Sequence, residues 1–290
     1  MITFTKKQLP KSTLQFLVTI PKEVISEKQE KAFKKLSENL VVEGFRKGKA
    51  PRNIAEKNIS GEVLARALLE MTLSDAYREI VTKEQLKPIA QPKVEIKKAE
   101  KDLSWEVEIL VPLSPSITLS DTYKEKLKKK LEEATTVDLW VPGKNKEEKK
   151  PASEDEKKTK KLQVALEWIS KEVPCEVSDI VIDQEVERKL SALVDDIRKM
   201  GLTVDGYMKA KQTTTDEVKK QYKQEVEKTI QLEFLLDAIA DKEKITVQPD
   251  ELTAVFSKMS EPDKKQAQDN SYLYASLIRK QKTLDFLISL

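Results

Sequence analysis

One ten-residue stretch, 42–51, brings together three cations, two glycines and an aromatic ring. Glycine readily adopts positive φ angles, so Gly44 and Gly48 predict tight turns. Phe45 falls at the resulting loop tip, where little surrounding protein is available to bury its ring. From Gly44 to Arg52 the sequence has four cations and no acid. These features predict a loop that presents a ring and positive charge to an anionic surface.

The alternative interpretation of this stretch is an ordinary solvated basic turn, and the order of its residues argues against that alternative. The pattern G-F-R-x-G-K-x-P resembles the ribosome-docking signature of the trigger factor family, bacterial chaperones of the polypeptide exit tunnel. The resemblance implies ribosome binding by seven residues: Gly44, Phe45, Arg46, Lys47, Gly48, Lys49 and Pro51.

No pattern of residues predicts catalysis. The chain has no histidine, which excludes Ser-His and Cys-His pairs and His-ligated metals, and its single cysteine, Cys175, cannot form an internal disulfide. Carboxylate pairs such as Asp195 and Asp196 are adjacent in the sequence, and adjacent residues on a helix do not face each other. We therefore predict no catalytic residue, no metal site and no cofactor.

Charge and hydropathy indicate a soluble protein. The 290 residues are 36% charged, and no run of about 18 apolar residues could span a bilayer. Residues 14–20 alternate apolar and polar side chains, unlike a signal peptide, so a cytoplasmic location is expected. The chain through Lys161 has 34 basic and 26 acidic residues, whereas the remainder has 19 basic and 24 acidic residues. Only the first part has the net positive charge that would attract a polyanion such as ribosomal RNA.

The first 114 residues predict an α+β domain. Alternating apolar residues indicate strands at 14–20, 94–96 and 103–111. A capping-box pair, Ser26 and Gln29, predicts the start of a first helix. Two further helices are expected on either side of Gly61. The order of these elements resembles the ribosome-binding domain of trigger factors.

Residues 115–161 are predicted to be a linker. Most trigger factors carry an FKBP-like prolyl isomerase domain at this point, and the 48 residues between Leu113 and Leu162 are too few for one. Leu127 and Leu131 allow a helix in 122–140, whereas the family resemblance implies extended chain. Residues 143–161 have no aliphatic side chain larger than Ala152 and are expected to be exposed.

Residues 162–290 predict an all-α domain that resembles the trigger factor C-terminal domain. One helix is expected to begin near Asp183 and to end at Met200, with Gly201 after its last turn. A long helix is expected from Thr214 to Asp241. Long helices with apolar spots could hold unfolded chains without ATP. The candidate client-binding residues are Met200, Tyr207, Met208, Phe256 and Met259, for which core packing is the alternative.

The resulting functional hypothesis is an ATP-independent chaperone that docks at the tunnel exit and holds nascent polypeptides. Its partners would be protein and RNA of the large ribosomal subunit, nascent chains and, as a family expectation, a second copy in a weak homodimer; no membrane partner is expected. The alternatives are a ribosome-free helical holdase or assembly factor and a prolyl isomerase with a divergent site.

Overall fold

The computed structural model describes residues 2–100, 103–136, 154–257 and 259–290. These residues form two compact units. Unit 1 consists of Met1–Ser114 and Ser178–Gln184, and unit 2 consists of Pro115–Val177 and Glu185–Leu290. Unit 1 contains a sheet with helices, and unit 2 is helical. This confirms the predicted fold class, an α+β N-terminal part followed by an all-α C-terminal part.

Unit 1 is built on a four-stranded antiparallel sheet. Its strands are β1 (Thr3–Leu9), β2 (Thr13–Ile20), β3 (Lys93–Lys98) and β4 (Trp105–Pro112), in the order β1-β2-β4-β3. Phe16 of β2 pairs with Ile109 of β4, and Val18 pairs with Val107. Alternate residues of the two central strands therefore point to the same face of the sheet, which is the core face. All four of these side chains are buried.

The edge strand β1 has no counterpart among the predicted strands. Most of its side chains are exposed, so the sequence lacks the apolar alternation that reveals a half-buried strand. It joins β2 through a tight turn in which Lys11 and Ser12 have positive φ angles of 55° and 49°. The strand conformation of these residues therefore depends on their pairing with β2 and not on their own sequence pattern.

Between β2 and β3 the structure describes three helices: α1 (Lys22–Asn39), α2 (Arg52–Asn58) and α3 (Gly61–Lys83). Side chains from α1 and α3 complete the core over the sheet, among them Ala32 and Ile80. The predicted capping box at Ser26 is wrong, because α1 begins directly after Pro21 and Ser26 lies inside it. Proline has a φ angle suited to a helix entrance, which accounts for the earlier start.

The described residues after β4 form eight helices. They are α4 (Tyr123–Thr136), α5 (Glu154–Glu172), α6 (Asp179–Lys199), α7 (Val204–Ala210), α8 (Thr215–Lys242), α9 (Pro249–Phe256), α10 (Glu261–Asp269) and α11 (Ser271–Ser289).

The helices α4, α5 and α6 differ from the prediction. Helix α4 occupies part of the predicted linker, so extended chain is wrong for its residues. Helix α5 begins at Glu154 and therefore includes the last eight residues of the predicted linker. Helix α6 begins at Asp179 rather than near Asp183. Residues 137–153 of the predicted linker lie outside the described residues.

The ends of the long helices follow the sequence closely. Thr214 caps α8 through a capping box with Glu217, in which each side chain accepts from the other's backbone amide. Gly201 has a φ of +72° after α6, as predicted for the residue that ends a helix.

The short segment Ser178–Gln184 belongs to unit 1 although it lies far along the chain. The Ser178 hydroxyl is fully buried, with its Oγ 2.8 Å from Oγ1 of Thr13. Gln184 donates from Nε2 to the backbone oxygen of Gln91 at 2.8 Å. These bonds attach the start of α6 to the hairpin of β1 and β2 and to the segment before β3.

A polar cluster holds the start of α4 against the end of α8 in unit 2. The buried Tyr123 hydroxyl donates to Oε1 of Glu243 at 2.6 Å, and Lys124 forms an ion pair with the same carboxylate. Burial alone would raise the pKa of Glu243, but the hydrogen bonds from Lys124 and Tyr123 outweigh it and lower that pKa below 4.5. The ammonium of Lys242 donates to the backbone oxygen of Leu119 at 2.8 Å.

We expect Glu243→Gln to lower the unfolding free energy by about 1 to 3 kcal/mol at pH 7, because charge-assisted hydrogen bonds at a mostly buried carboxylate are lost. The folded-state pKa of Glu243 is lowered, so its stabilising effect is fully present above pH 4.5 and is lost as pH falls through the folded pKa. Denaturant unfolding at pH 7 and at acid pH measures both effects.

The matched control is Glu167→Gln, which breaks an exposed ion pair with Lys171 in the same unit. We expect this control to change stability little at either pH. Equal effects of the two substitutions would contradict a structural role for the Glu243 cluster.

Candidate functional site

The basic loop, residues 40–51, connects α1 to α2 in unit 1. Two tight turns shape it: Phe45 donates its backbone N–H to Val42 at 3.1 Å, and Lys49 donates to Arg46 at 2.9 Å. Gly44 and Gly48 have φ angles of +83° and +72°, the left-handed region that glycine adopts without strain. The predicted turns at both glycines are confirmed.

Gly48 also lies unusually close to α1. Its N–H donates to the backbone oxygen of Leu40 at 3.0 Å, which closes the loop onto the end of that helix. A Cβ atom at Gly48 would lie only 2.5 Å from the backbone oxygen of Glu38. A Cβ at Gly44 would meet nothing within 4 Å. Gly48 is therefore required for space as well as for conformation.

The tip of the basic loop is open to solvent. Phe45 is 40% exposed, and Arg46, Lys47 and Lys49 are exposed. None of these three cations forms an ion pair with any residue that the structure describes. The loop thus presents three uncompensated positive charges beside an aromatic ring, as the sequence predicted.

Val41 adds an apolar side chain that the sequence analysis did not single out. It is 75% exposed at the start of the basic loop. Its signal was weak, since an isolated exposed valine is common on protein surfaces.

Arg52 differs from the other three cations of this region. Its guanidinium donates from Nη1 and Nη2 to the two carboxylate oxygens of Glu30, at 2.9 and 2.7 Å, and from Nε to Glu56 at 2.8 Å. It also lies over the ring of Phe33, 5.2 Å from the centroid. Hydrogen bonding from Arg52 lowers the pKa of Glu30. The sequence could not reveal this arrangement, because Glu30 precedes Arg52 by 22 residues.

The five predicted client-binding residues lie at different places in unit 2. Met208 of α7 and Phe256 of α9 are buried, and the Phe256 ring packs edge-on against Tyr274 with centroids 5.4 Å apart. These contacts favour the packing alternative for both. Tyr207 and Met259 are half-buried, and Met200, just after α6, is 57% exposed.

The start of α11 carries an exposed apolar surface that was not predicted. Tyr272 is 88% exposed, Leu273 is 58% exposed and Leu277 is 54% exposed. Leu273 and Leu277 are four residues apart and therefore share one face of the helix.

Other kinds of site find little support in the part of the chain that the structure describes. There, no group of three His, Cys, Asp or Glu side chains could hold a metal ion, and no helix could cross a membrane. Burial raises the pKa of the Cys175 thiol to about 11, so this cysteine is a protonated, packed side chain at neutral pH.

Comparison with protein-family models identifies both parts of the chain. A model described as bacterial trigger factor protein matches residues 2–139, and the model of the C-terminus of the same protein matches residues 143–288. The chain belongs to the trigger factor family. Only residues 140–142 separate the two matches, so no isomerase domain lies between the two trigger factor segments of this chain.

Individual trigger factors are similar over part of their length. That of Lactococcus lactis subsp. cremoris (strain MG1363) is 39% identical over 124 residues, which cover 43% of this chain and 28% of the relative. That of Staphylococcus aureus (strain Newman) is 38% identical over 104 residues, covering 36% and 24%. The chain thus spans about a quarter of the length of the curated trigger factors that it matches.

A solved structure described as "Promiscuous Substrate Recognition in Folding and Assembly Activities of the Trigger Factor Chaperone" has the same fold. It superposes with a TM-score of 0.61 at 17% sequence identity, covering 99% of both chains.

We expect Gly48→Ala to lower the unfolding free energy by roughly 1 to 3 kcal/mol more than Gly44→Ala does. Of these two positions, a Cβ collides with backbone only at position 48. Gly44→Ala costs only the left-handed backbone penalty of about 1 to 2 kcal/mol. Denaturant unfolding of the two matched variants measures the difference. Equal losses would mean that the loop moves away from α1 at no cost and that the Gly48 contact is unimportant.

Proposed function

We propose that this chain is an ATP-independent chaperone that docks on the large ribosomal subunit at the tunnel exit and holds nascent polypeptides in the cytoplasm. The observation that carries the proposal is the tip of the basic loop, with Phe45 exposed and Arg46, Lys47 and Lys49 free of ion pairs within the described residues. Membership of the trigger factor family supports the same conclusion.

Docking would combine charge and one aromatic contact. The loop cations pair with RNA phosphates or with acidic side chains at the tunnel exit, and Phe45 inserts its ring at the contact. Each phosphate that a cation neutralises releases bound counterions, so binding weakens as salt rises. Two or three such contacts give a modest affinity, which suits a protein that must leave and rebind translating ribosomes.

Client holding would rely on apolar side chains dispersed over the helical unit. An unfolded chain exposes scattered apolar groups, and a surface that is adaptable and open can accept many of them. Tyr272, Leu273, Leu277 and Met200 are exposed enough to make such contacts. Tyr207 and Met259 remain candidates, whereas Met208 and Phe256 are better explained by packing.

The proposal assigns no isomerase activity to the chain, since residues 140–142 alone separate the two family matches. A weak homodimer away from the ribosome is kept as a family expectation. A ribosome-free role would require the basic loop to be an ordinary turn, and its uncompensated charge argues against this.

Co-sedimentation with ribosomes tests the docking loop. We expect the wild type to pellet at low salt and the variant Phe45→Ala/Arg46→Ala/Lys47→Ala to remain in the supernatant. Raising the salt concentration should release the wild type, because counterion release drives the contact.

A matched control removes one exposed apolar side chain and two cations elsewhere in unit 1 that form no ion pair with the described residues, through Ile89→Ala/Lys87→Ala/Lys98→Ala. This control should pellet like the wild type. If the loop variant also pellets like the wild type, ribosome docking by the loop is refuted and the ribosome-free alternative is favoured.

Suppression of aggregation tests the client surface. We expect Tyr272→Ser/Leu273→Ser/Leu277→Ser to reduce protection of a chemically denatured protein on dilution, because the variant loses three exposed apolar contacts. Each substitution is on the surface and should change the unfolding free energy by less than about 0.5 kcal/mol.

The corresponding control is Leu17→Ser/Val63→Ser/Leu103→Ser, which removes three similarly exposed apolar side chains from unit 1. Protection that falls equally in both variants would indicate nonspecific hydrophobic contact, and the assignment to α11 would be abandoned.

A further inference from the structure

We propose that Arg52 is a positioning residue that holds the basic loop in its binding shape and is not itself a ligand of the ribosome. The inference rests on the proposed docking function and deepens it. It divides the four cations of this region into three that bind and one that orients the others.

The geometry around Arg52 connects both ends of the loop. Arg52 is the first residue of α2, and Glu30 lies in α1, so the paired hydrogen bonds between them span the base of the basic loop. The third bond, to Glu56, fixes the guanidinium along α2. Phe33 of α1 supports the face of the guanidinium. We call Arg52, Glu30, Glu56 and Phe33 the Arg52 clamp.

The Arg52 clamp and the Gly48 bond close the loop at two levels. The clamp joins α1 to α2 at the base of the loop, and the bond from the Gly48 N–H to the backbone oxygen of Leu40 joins the two arms of the loop nearer the tip. Closing a loop at two points removes conformations that a free loop would have to lose on binding. Phe45, Arg46 and Lys47 are thereby presented in a restricted arrangement before any partner arrives.

The electrostatics of the clamp argue against direct binding of phosphate by Arg52. Three guanidinium N–H groups are already donated to two carboxylates, so Arg52 with Glu30 and Glu56 carries a net charge of −1. Arg46, Lys47 and Lys49 have no such compensation among the described residues. An anionic partner is therefore attracted to the tip and not to the clamp.

Exposure of the clamp makes the proposal testable without unfolding the protein. The side chains of Arg52 and Glu30 are 61% and 60% exposed, and exposed ion pairs contribute little to global stability. Loss of the clamp should therefore loosen the loop while the rest of unit 1 stays folded.

Ribosome binding by Glu30→Gln separates positioning from simple electrostatics. Removing a negative charge near the loop would strengthen binding to an anionic partner if charge alone mattered. We expect instead a loss of affinity of about three- to tenfold, because the loop must be ordered on binding. Arg52→Lys keeps the charge but not the paired geometry, and it should weaken binding to a similar extent.

The salt dependence provides a second distinction. Lys47→Gln should reduce the slope of log affinity against log salt by about 0.7, the value for one phosphate contact to a single strand. Glu30→Gln and Arg52→Lys should leave that slope unchanged. The control is Glu27→Gln, which removes one negative charge and one exposed ion pair from the same helix and should not weaken binding.

Hydrogen exchange of the free protein tests the clamp independently of the ribosome. Glu30→Gln and Arg52→Lys should accelerate amide exchange at Gly48 and Lys49, whose N–H groups form the loop bonds. Exchange in β2 and β4 should stay unchanged, which verifies that the unit remains folded.

The outcomes distinguish this inference from the proposed function. If Glu30→Gln binds ribosomes as tightly as the wild type while Phe45→Ala/Arg46→Ala/Lys47→Ala does not bind, docking stands and the positioning role is overturned. If the wild type itself does not bind, docking fails, and faster exchange at Gly48 would still support loop positioning. Unchanged exchange in both clamp variants overturns the positioning role in every case.

Discussion

The basic loop depends on one close backbone approach, between Gly48 and the last turn of α1. No side chain fits at position 48, because a Cβ would lie 2.5 Å from the backbone oxygen of Glu38. This approach allows the Gly48 N–H to reach Leu40, and the hydrogen bond folds the loop back on itself. With the chain reversed there, Phe45 and its neighbouring cations are exposed to solvent.

The clustering of three cations without ion pairs beside an exposed ring gives this loop its chemical character. Elsewhere in unit 1 some cations are neutralised by nearby acids, as in Lys6 with Glu84 and Lys83 with Glu79, and single cations such as Lys87 form no ion pair among the described residues. At the loop tip the three cations have no acid partner among the described residues. Net charge alone would not reveal this difference, since the whole chain carries only +3. Pairing decides which positive charges are available to an anionic partner.

The two units are stabilised in different ways. Unit 1 has a continuous core between its sheet and the helices α1 and α3, with Phe16 and Ile109 paired at its centre. Unit 2 combines apolar helix stripes with a mostly buried polar cluster, in which Tyr123 and Lys124 share the carboxylate of Glu243. Such a cluster fixes the register of two helices more narrowly than apolar packing alone, because its hydrogen bonds are directional.

The sequence by itself determined most local features, although the starts of α1 and α6 were predicted wrongly. Glycines, caps and apolar periodicity predicted both loop turns, the end of α6 at Gly201, the start of α8 at Thr214 and the three half-buried strands, because each depends on neighbouring residues. Only the tertiary structure decided features that join distant residues. These are the pairing of β1, the burial of Phe256, the exposure of Leu273 and the neutralisation of Arg52 by Glu30, 22 residues earlier. The sequence pattern shows only which side chains neighbour each other along the chain. Contacts between distant residues decide which charges and apolar surfaces remain free.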